Sequence, residues 1–205
     1  MVLTPEIDDA EKFFRNRLSE TKWILDEYIQ QHPAMAAIYP SSVNTIRFHT
    51  ILGKNGKVRA FYPYLRMGQG NSFVDNSSAG GLAILVHPET GVTFGKVIHE
   101  ENRLDITAHP DTGKELVGMQ IPQWDDLLKL LGEMARVCPK SRYLGWDMAL
   151  SADRGWTVVE INSPPGESSW GCHENYGLAQ EYFGLEQWAL EGIGDDVLPD
   201  GQIEI

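Results

Sequence analysis

The sequence predicts an α+β fold, a mostly antiparallel sheet with flanking helices. Three observations predict it. Extended runs come in pairs joined by short polar turns, which is how antiparallel strands connect. One segment after Pro122 carries apolar residues at helical spacing. The 205 residues, 42% hydrophobic and 22% charged, are enough to bury a core without disulfide staples.

The elements follow in order. Thr4-Pro5-Glu6 reads as a helix start, and Ala10, Phe13, Phe14 and Leu18 carry its stripe to about Ser19. Lys22 to Ile29 fits either a continued helix or a buried strand. Pro33 and Pro40 bracket a connector. Thr45 to Leu52 and Lys57 to Met67 form a hairpin around Gly53-Lys54-Asn55-Gly56. Gly68 to Gly81 is a polar, glycine-containing loop. Leu82 to His87 and Val92 to Ile98 form a second hairpin around Pro88-Glu89-Thr90-Gly91, and His109 to Gly113 is a further turn. After Pro122, the residues Trp124, Leu127, Leu128, Leu131 and Met134 mark a core-facing helix, with Asp125 and Asp126 in its first turn. Tyr143 to Leu150 and Trp156 to Asn162 are strands around Ser151 to Gly155. A Pro/Gly/Ser loop then leads to a last helix near Tyr176 to Leu190.

Composition excludes several functions. The net charge is −12, from 17 basic and 29 acidic residues. Such a surface repels phosphate backbones and anionic lipid, so neither nucleic acid nor a membrane is an expected partner. Two cysteines, Cys138 and Cys172, make no disulfide framework and fit a reducing cytoplasm. No apolar run approaches the ~18 residues of a membrane span, and Met1 to Asp9 lacks the basic start and apolar core of a signal peptide. Cys138 closes a helical stripe and is expected in the core. His99-Glu100-Glu101 and Cys172-His173-Glu174 lack zinc-ligand spacing and are expected to be surface polar residues. Neither a Walker loop nor a Gly-x-Ser-x-Gly nucleophile is present, so Gly68, Gly70, Gly80 and Gly81 are expected to serve turns.

The third hairpin carries the chemistry. Strand side chains alternate between faces. Asp147 shares a face with Gly145 and Ala149, and Glu160 shares one with Trp156, Val158 and Asn162. A turn closing symmetrically between Ser151 and Trp156 sets Asp147 directly opposite Glu160. Opposed like charges are unfavourable unless something positive lies between them. Two carboxylates and an amide suit Mg²⁺ that keeps open positions for substrate oxygens. The plain alternative is a solvated acidic face, against which stand the small and apolar neighbours. Thr45, Arg47 and His49 share one face of an alternating strand, and Arg66 follows Tyr62 and Tyr64 on another. Either arginine also reads as a surface cation, Arg66 as one stacked on tyrosine.

An Asp thirteen positions before Glu-x-Asn on paired strands resembles the metal-binding hairpin of the ATP-grasp superfamily. Ile24 to Pro33, Ser42-Val-Asn-Thr-Ile-Arg47, Tyr64-Leu-Arg66, Asp75-Asn76 with Gly80-Gly81, Gly145-Trp-Asp147 and Glu160-Ile-Asn162 together resemble the sugar-transfer-associated ATP-grasp group, relatives of alpha-L-glutamate ligases. The resemblance implies the C-terminal lobe of an ATP-grasp fold over residues 32–205, with residues 1–31 a remnant of the small nucleotide-binding lobe and the adenine hinge. It implies an ATP- and Mg²⁺-dependent ligase joining a carboxylate to an amine or similar nucleophile through an acyl-phosphate. Asp147, Glu160 and Asn162 would hold Mg²⁺. Arg47 and Arg66, the candidate catalytic residues, would face the γ-phosphate or the acyl-phosphate. The Glu27, Tyr28 and Ile29 backbone would hold adenine, and Asn76 would belong to a substrate or cofactor loop.

Two departures from the family's pattern stand out. Of the lysines that grip phosphates from an earlier lobe, only Lys12 and Lys22 precede Trp23 and neither has strand context, so the chain is expected to be the C-terminal part of the fold, a fragment or truncated gene, or one whose missing lobe a homo-oligomer or partner chain supplies. Gly145 stands two positions before the metal Asp, where many such ligases carry Arg. The rival expectation is a non-catalytic nucleotide- or sugar-nucleotide-binding module.

Overall fold

The computed structural model describes residues 15, 27–99, 102–137, 139–165 and 201–205. The two expected terminal helices lie outside these residues except for Arg15, which is helical. Cys138, Glu100-Glu101 and Cys172-His173-Glu174 also lie outside them. The segment 27–30 is neither helix nor strand.

The described chain builds one eight-stranded sheet whose pairings are antiparallel. The strands are β1 (Thr45–Leu52), β2 (Val58–Met67), β3 (Leu82–Val86), β4 (Thr93–His99), β5 (Asn102–Leu104), β6 (Tyr143–Ser151), β7 (Gly155–Asn162) and β8 (Gln202–Glu204). Their order is β5-β4-β3-β2-β1-β6-β7, with β8 also against β2. Strand β2 is long enough to share one edge between two neighbours: Arg59 to Phe61 pair with β8, and Tyr64 to Met67 pair with β3. A short helix α1 (Pro33–Ala36) and a helix α2 (Trp124–Ala135) complete the regular elements, with a 3₁₀ turn at Ser77–Ala79. The α+β class and all three hairpins agree with the expectation from sequence.

Helix α2 exists to cover one face of the sheet. Trp124, Leu127, Leu131 and Ala135 are buried on it, in one apolar cluster with Ile46, Phe48, Leu65, Leu144, Trp146, Met148 and Leu150 of the central strands. The Trp124 and Phe48 rings lie 5.6 Å apart, and Trp124 Nε1 donates to the Pro88 carbonyl at 2.7 Å. Burying each such side chain contributes ~1.5–3 kcal/mol before entropy is charged against it. The helix starts at Trp124, with Gln123 at its N-cap in a left-handed conformation, φ 53°.

The sheet pairings of the described residues carry three register shifts, two of which bear on the face away from α2. Phe48 of β1 sits opposite Tyr62 and Pro63 together, because the register moves from Arg47↔Tyr64 to His49↔Phe61. Pro63 cannot donate to the ladder, and such a proline is confined to edges and bulges; Tyr62 takes φ 50°. Phe61, stacked on His49 at 5.7 Å, therefore takes the place on the face of Tyr64 and Arg66 that strict alternation assigns to Tyr62. The second bulge is at Val159 in β7, between Met148↔Val158 and Asp147↔Glu160.

Among the described residues no helix is long and apolar enough to cross a membrane.

Candidate functional site

The face of the sheet away from α2 is polar at its centre. Antiparallel partners lie side by side, so register alone places its residues in rows. One row runs Tyr64, Arg47, Asp147, Glu160 across β2, β1, β6 and β7. The next holds His49, Gly145 and Asn162, and on the other side Arg66 pairs with Thr45. Asp147 and Glu160 are thus cross-strand neighbours with Asn162 one pair further along. The route there differs from the symmetric turn. The hairpin closes as Ser151↔Gly155, one residue tighter, and the Val159 bulge restores the offset.

The polar residues are held by one another. Arg47 donates to Asp147 through two nitrogens, Nε to Oδ1 and Nη2 to Oδ2 at 2.7 Å. Arg66 Nη1 lies 3.1 Å from Asp147 Oδ1, and its Nη2 lies 3.1 Å from Asp75 Oδ1 and also donates to Asn76 Oδ1. Asp75 Oδ2 accepts from the Thr45 backbone N at 3.1 Å and from the Thr45 hydroxyl. Arg47, Arg66, Asp75 and Asp147 are all buried. Two buried cations against two buried anions make a neutral set, the condition under which buried charge is tolerable. Burial works against the charge on Arg47, but the Asp147 hydrogen bonds and the charges of Asp147 and Glu160 outweigh it and raise its pKa. Burial pushes the Asp75 carboxyl above the usual carboxylate range, against the pull of Arg66 and Thr45.

Asp75 was legible only as part of a motif, and its grip on Arg66 and Thr45 was not. It reaches the sheet because its loop folds back sharply. Gly81 N donates to the Asn76 carbonyl at 2.9 Å, and a Cβ on Gly81 would lie 2.2 Å from the Asp75 carbonyl oxygen. Gly80 and Gly81 thus serve the turn, as expected. Gly68 is held likewise: its carbonyl lies 2.8 Å from Nε2 of His109, a buried ring stacked on Tyr39 at 5.3 Å. Gly145 has Pro165 against it, 2.5 Å from where a Cβ would sit, so an arginine side chain has no room there.

The expected adenine segment takes a definite place. Ala152 N donates to the Gln30 carbonyl and His32 N to the Leu150 carbonyl, both at 2.8 Å, so residues 30–32 run along the end of β6. Gln31 is buried, donating to the Ser42 carbonyl and accepting from Asn44 N at 2.8 Å. Glu27 pairs with Arg154 of the β6–β7 turn at 2.9 Å, Tyr28 is 59% exposed and Ile29 is half-buried. Ser151 lies four residues from Asp147 on β6, ~13 Å along the strand. Segment and charged rows therefore occupy the two ends of one stretch of β6.

Among the described residues no three His, Cys, Asp or Glu gather as a metal cluster. The donor set that does converge is two carboxylates and an amide. Glu160 is exposed, and Asn162 Nδ2 is buried with no hydrogen-bond partner among the described residues. Hard oxygen donors of this kind suit Mg²⁺, while Asp147 is already engaged by both arginines.

The antiparallel sheet thus gathers paired arginines and carboxylates on one face, with residues 30–32 docked at the end of the same strand β6. The chain belongs to the sugar-transfer associated ATP-grasp family, whose model matches residues 15–181. No curated protein and no solved structure matches it.

Proposed function

We propose that this chain is an ATP-grasp ligase, ATP- and Mg²⁺-dependent, that activates a small-molecule carboxylate as an acyl-phosphate for attack by an amine or similar nucleophile. The observation that supports it is the convergence of Arg47, Arg66, Asp147, Glu160 and Asn162 on one sheet face in a member of this family. Asp147, Glu160 and Asn162 are the Mg²⁺ ligands in this reading, and bound Mg²⁺ supplies charge neutralisation on phosphate oxygens. Arg47 and Arg66 orient the transferred phosphoryl group and stabilise the charge it develops, without shedding water when it does so, because they are already desolvated. The Glu27 to Ile29 backbone takes adenine and Asn76 belongs to the substrate loop. A cytoplasmic location, where ATP is available, is part of the proposal.

A second reading, a non-catalytic nucleotide- or sugar-nucleotide-binding module, is favoured by one observation: both oxygens of Asp147 are occupied by arginine nitrogens. Two measurements separate the readings. Mg²⁺ with a non-hydrolysable ATP analogue is expected to raise the melting temperature more than the sum of either alone, and Glu160→Gln to abolish that synergy. ADP release dependent on an added carboxylate is expected of the ligase. Synergy without ADP release across a carboxylate panel selects the module, and synergy unchanged in Glu160→Gln removes the metal assignment from both.

A further inference from the structure

Arg66 sits between two acids. One side of its guanidinium meets Asp147, which also receives both forks of Arg47, and the other meets Asp75 and Asn76 of the loop that Gly81 closes. Asp75 is in turn anchored on the sheet, because Thr45 donates to it through both backbone and hydroxyl. The arrangement is asymmetric in what each acid can give up. Asp147 keeps Arg47 if Arg66 leaves it, whereas Asp75 and Asn76 form a seat that can hold Arg66 without Asp147.

A divalent cation on Asp147 competes with the three guanidinium nitrogens already on its two oxygens, and the positive charge added there repels both arginines. We propose that Asp75 is a positioning residue whose carboxylate, with Asn76, takes over the Arg66 guanidinium so that Asp147 is released to a cation while Arg66 stays in the site. The inference rests on the metal reading of Asp147 given above. It assigns Arg66 two seats, and assigns the balance between them to Asp75. In Asp75→Asn the side-chain oxygen still accepts from Thr45, but the amide faces Arg66 without charge. Arg66 then leans on Asp147, and Asp147 becomes harder to free. Removing Arg66 has the opposite effect, since it deletes the competitor.

The test uses the full chain with Mn²⁺ alone as the probe, its affinity read by electron paramagnetic resonance, alongside nitrogen-15 spectra of the arginine guanidinium groups without metal. In the wild type the Arg66 Nη resonances are expected to show hindered rotation. In Asp75→Asn that hindrance weakens while Arg47 is unchanged. Mn²⁺ affinity falls roughly tenfold in Asp75→Asn, the weight of one charge-assisted hydrogen bond, and rises in Arg66→Met. On the Arg66→Met background, Asp75→Asn has at most a twofold effect, because the residue acts through Arg66. If Asp75→Asn fails to fold, Asn76→Ala is expected to shift both readouts the same way by a smaller amount. An unchanged Arg66 spectrum, or an equal loss of Mn²⁺ affinity with and without Arg66, overturns the proposal. Wild-type protein that binds no Mn²⁺ overturns the metal reading instead, and the guanidinium spectra then still decide whether Asp75 holds Arg66.

Discussion

Asp75 shows at the scale of one residue how a buried acid is tied to pH. Its carboxyl is pushed up by burial, and Arg66 and Thr45 oppose that only in part. A folded-state value above the unfolded ~3.9 means that its contribution to stability is fully present below about pH 3.9 and is lost as pH rises through the folded value. Urea denaturation of wild type and Asp75→Asn across pH 3 to 7 is therefore expected to show the wild type losing ground to the variant as pH rises over that window. A wild type that gains on the variant would falsify the assignment. Gly81 is a second single-residue constraint, of steric origin. The backbone atoms nearest a Cβ there are Asp75 and Asn76, at 2.2 to 2.9 Å, and none of them can rotate away. Gly81→Ala is expected to cost about 1–3 kcal/mol and to loosen Asp75 from Thr45, read as faster hydrogen exchange at the Thr45 amide.

Among the elements, α2 is the one that packs its apolar stripe into the core cluster from outside the sheet. Trp124 is buried against Phe48 and its indole nitrogen is satisfied by Pro88. Trp124→Ala leaves a cavity and an unpaired carbonyl, and is expected to lower stability by about 3–5 kcal/mol in chemical denaturation. A loss below about 1 kcal/mol would mean that the helix is not what closes the apolar face. The strands teach a different lesson. Pro63 stands within a run that otherwise reads as a central strand, a signal that favours a bulge over strict alternation. It moves Phe61 onto the site face and Tyr62 off it. Val159 left no such signal, since a β-branched residue is equally at home in a regular strand.

The whole molecule carries net charge −12 around a neutral buried quartet. These two electrostatic layers respond differently to salt. Surface repulsion is screened as the Debye length falls from about 30 Å at 0.01 M to about 8 Å at 0.15 M, while desolvated contacts are screened much less. The melting temperature is expected to rise between those concentrations, and the Arg66 and Arg47 guanidinium resonances to stay where they are. A melting temperature that falls with salt would place the dominant electrostatics in attractive surface pairs such as Lys57 with Glu204 and Arg154 with Glu27.

Much of this architecture is legible in the sequence. Glycine-bearing turns between apolar runs specify hairpins, the Trp124 to Met134 stripe specifies a helix, and Asp147, Glu160 and Asn162 fall on one face by alternation, because these depend on neighbours within about fifteen residues. The order of the strands, the bulges and the partners of the charges depend on residues far apart in sequence. Arg47 and Asp147 are 100 residues apart and meet because β1 lies between β2 and β6. No local pattern reports that adjacency, so the sequence determined which residues carry charge and which face they share. The tertiary structure alone decided that Asp147 is shared by two arginines, and that a loop aspartate holds one of them. Those contacts are made by packing distant strands and a folded-back loop into one desolvated layer, where each buried charge must find an opposite charge or not be buried at all.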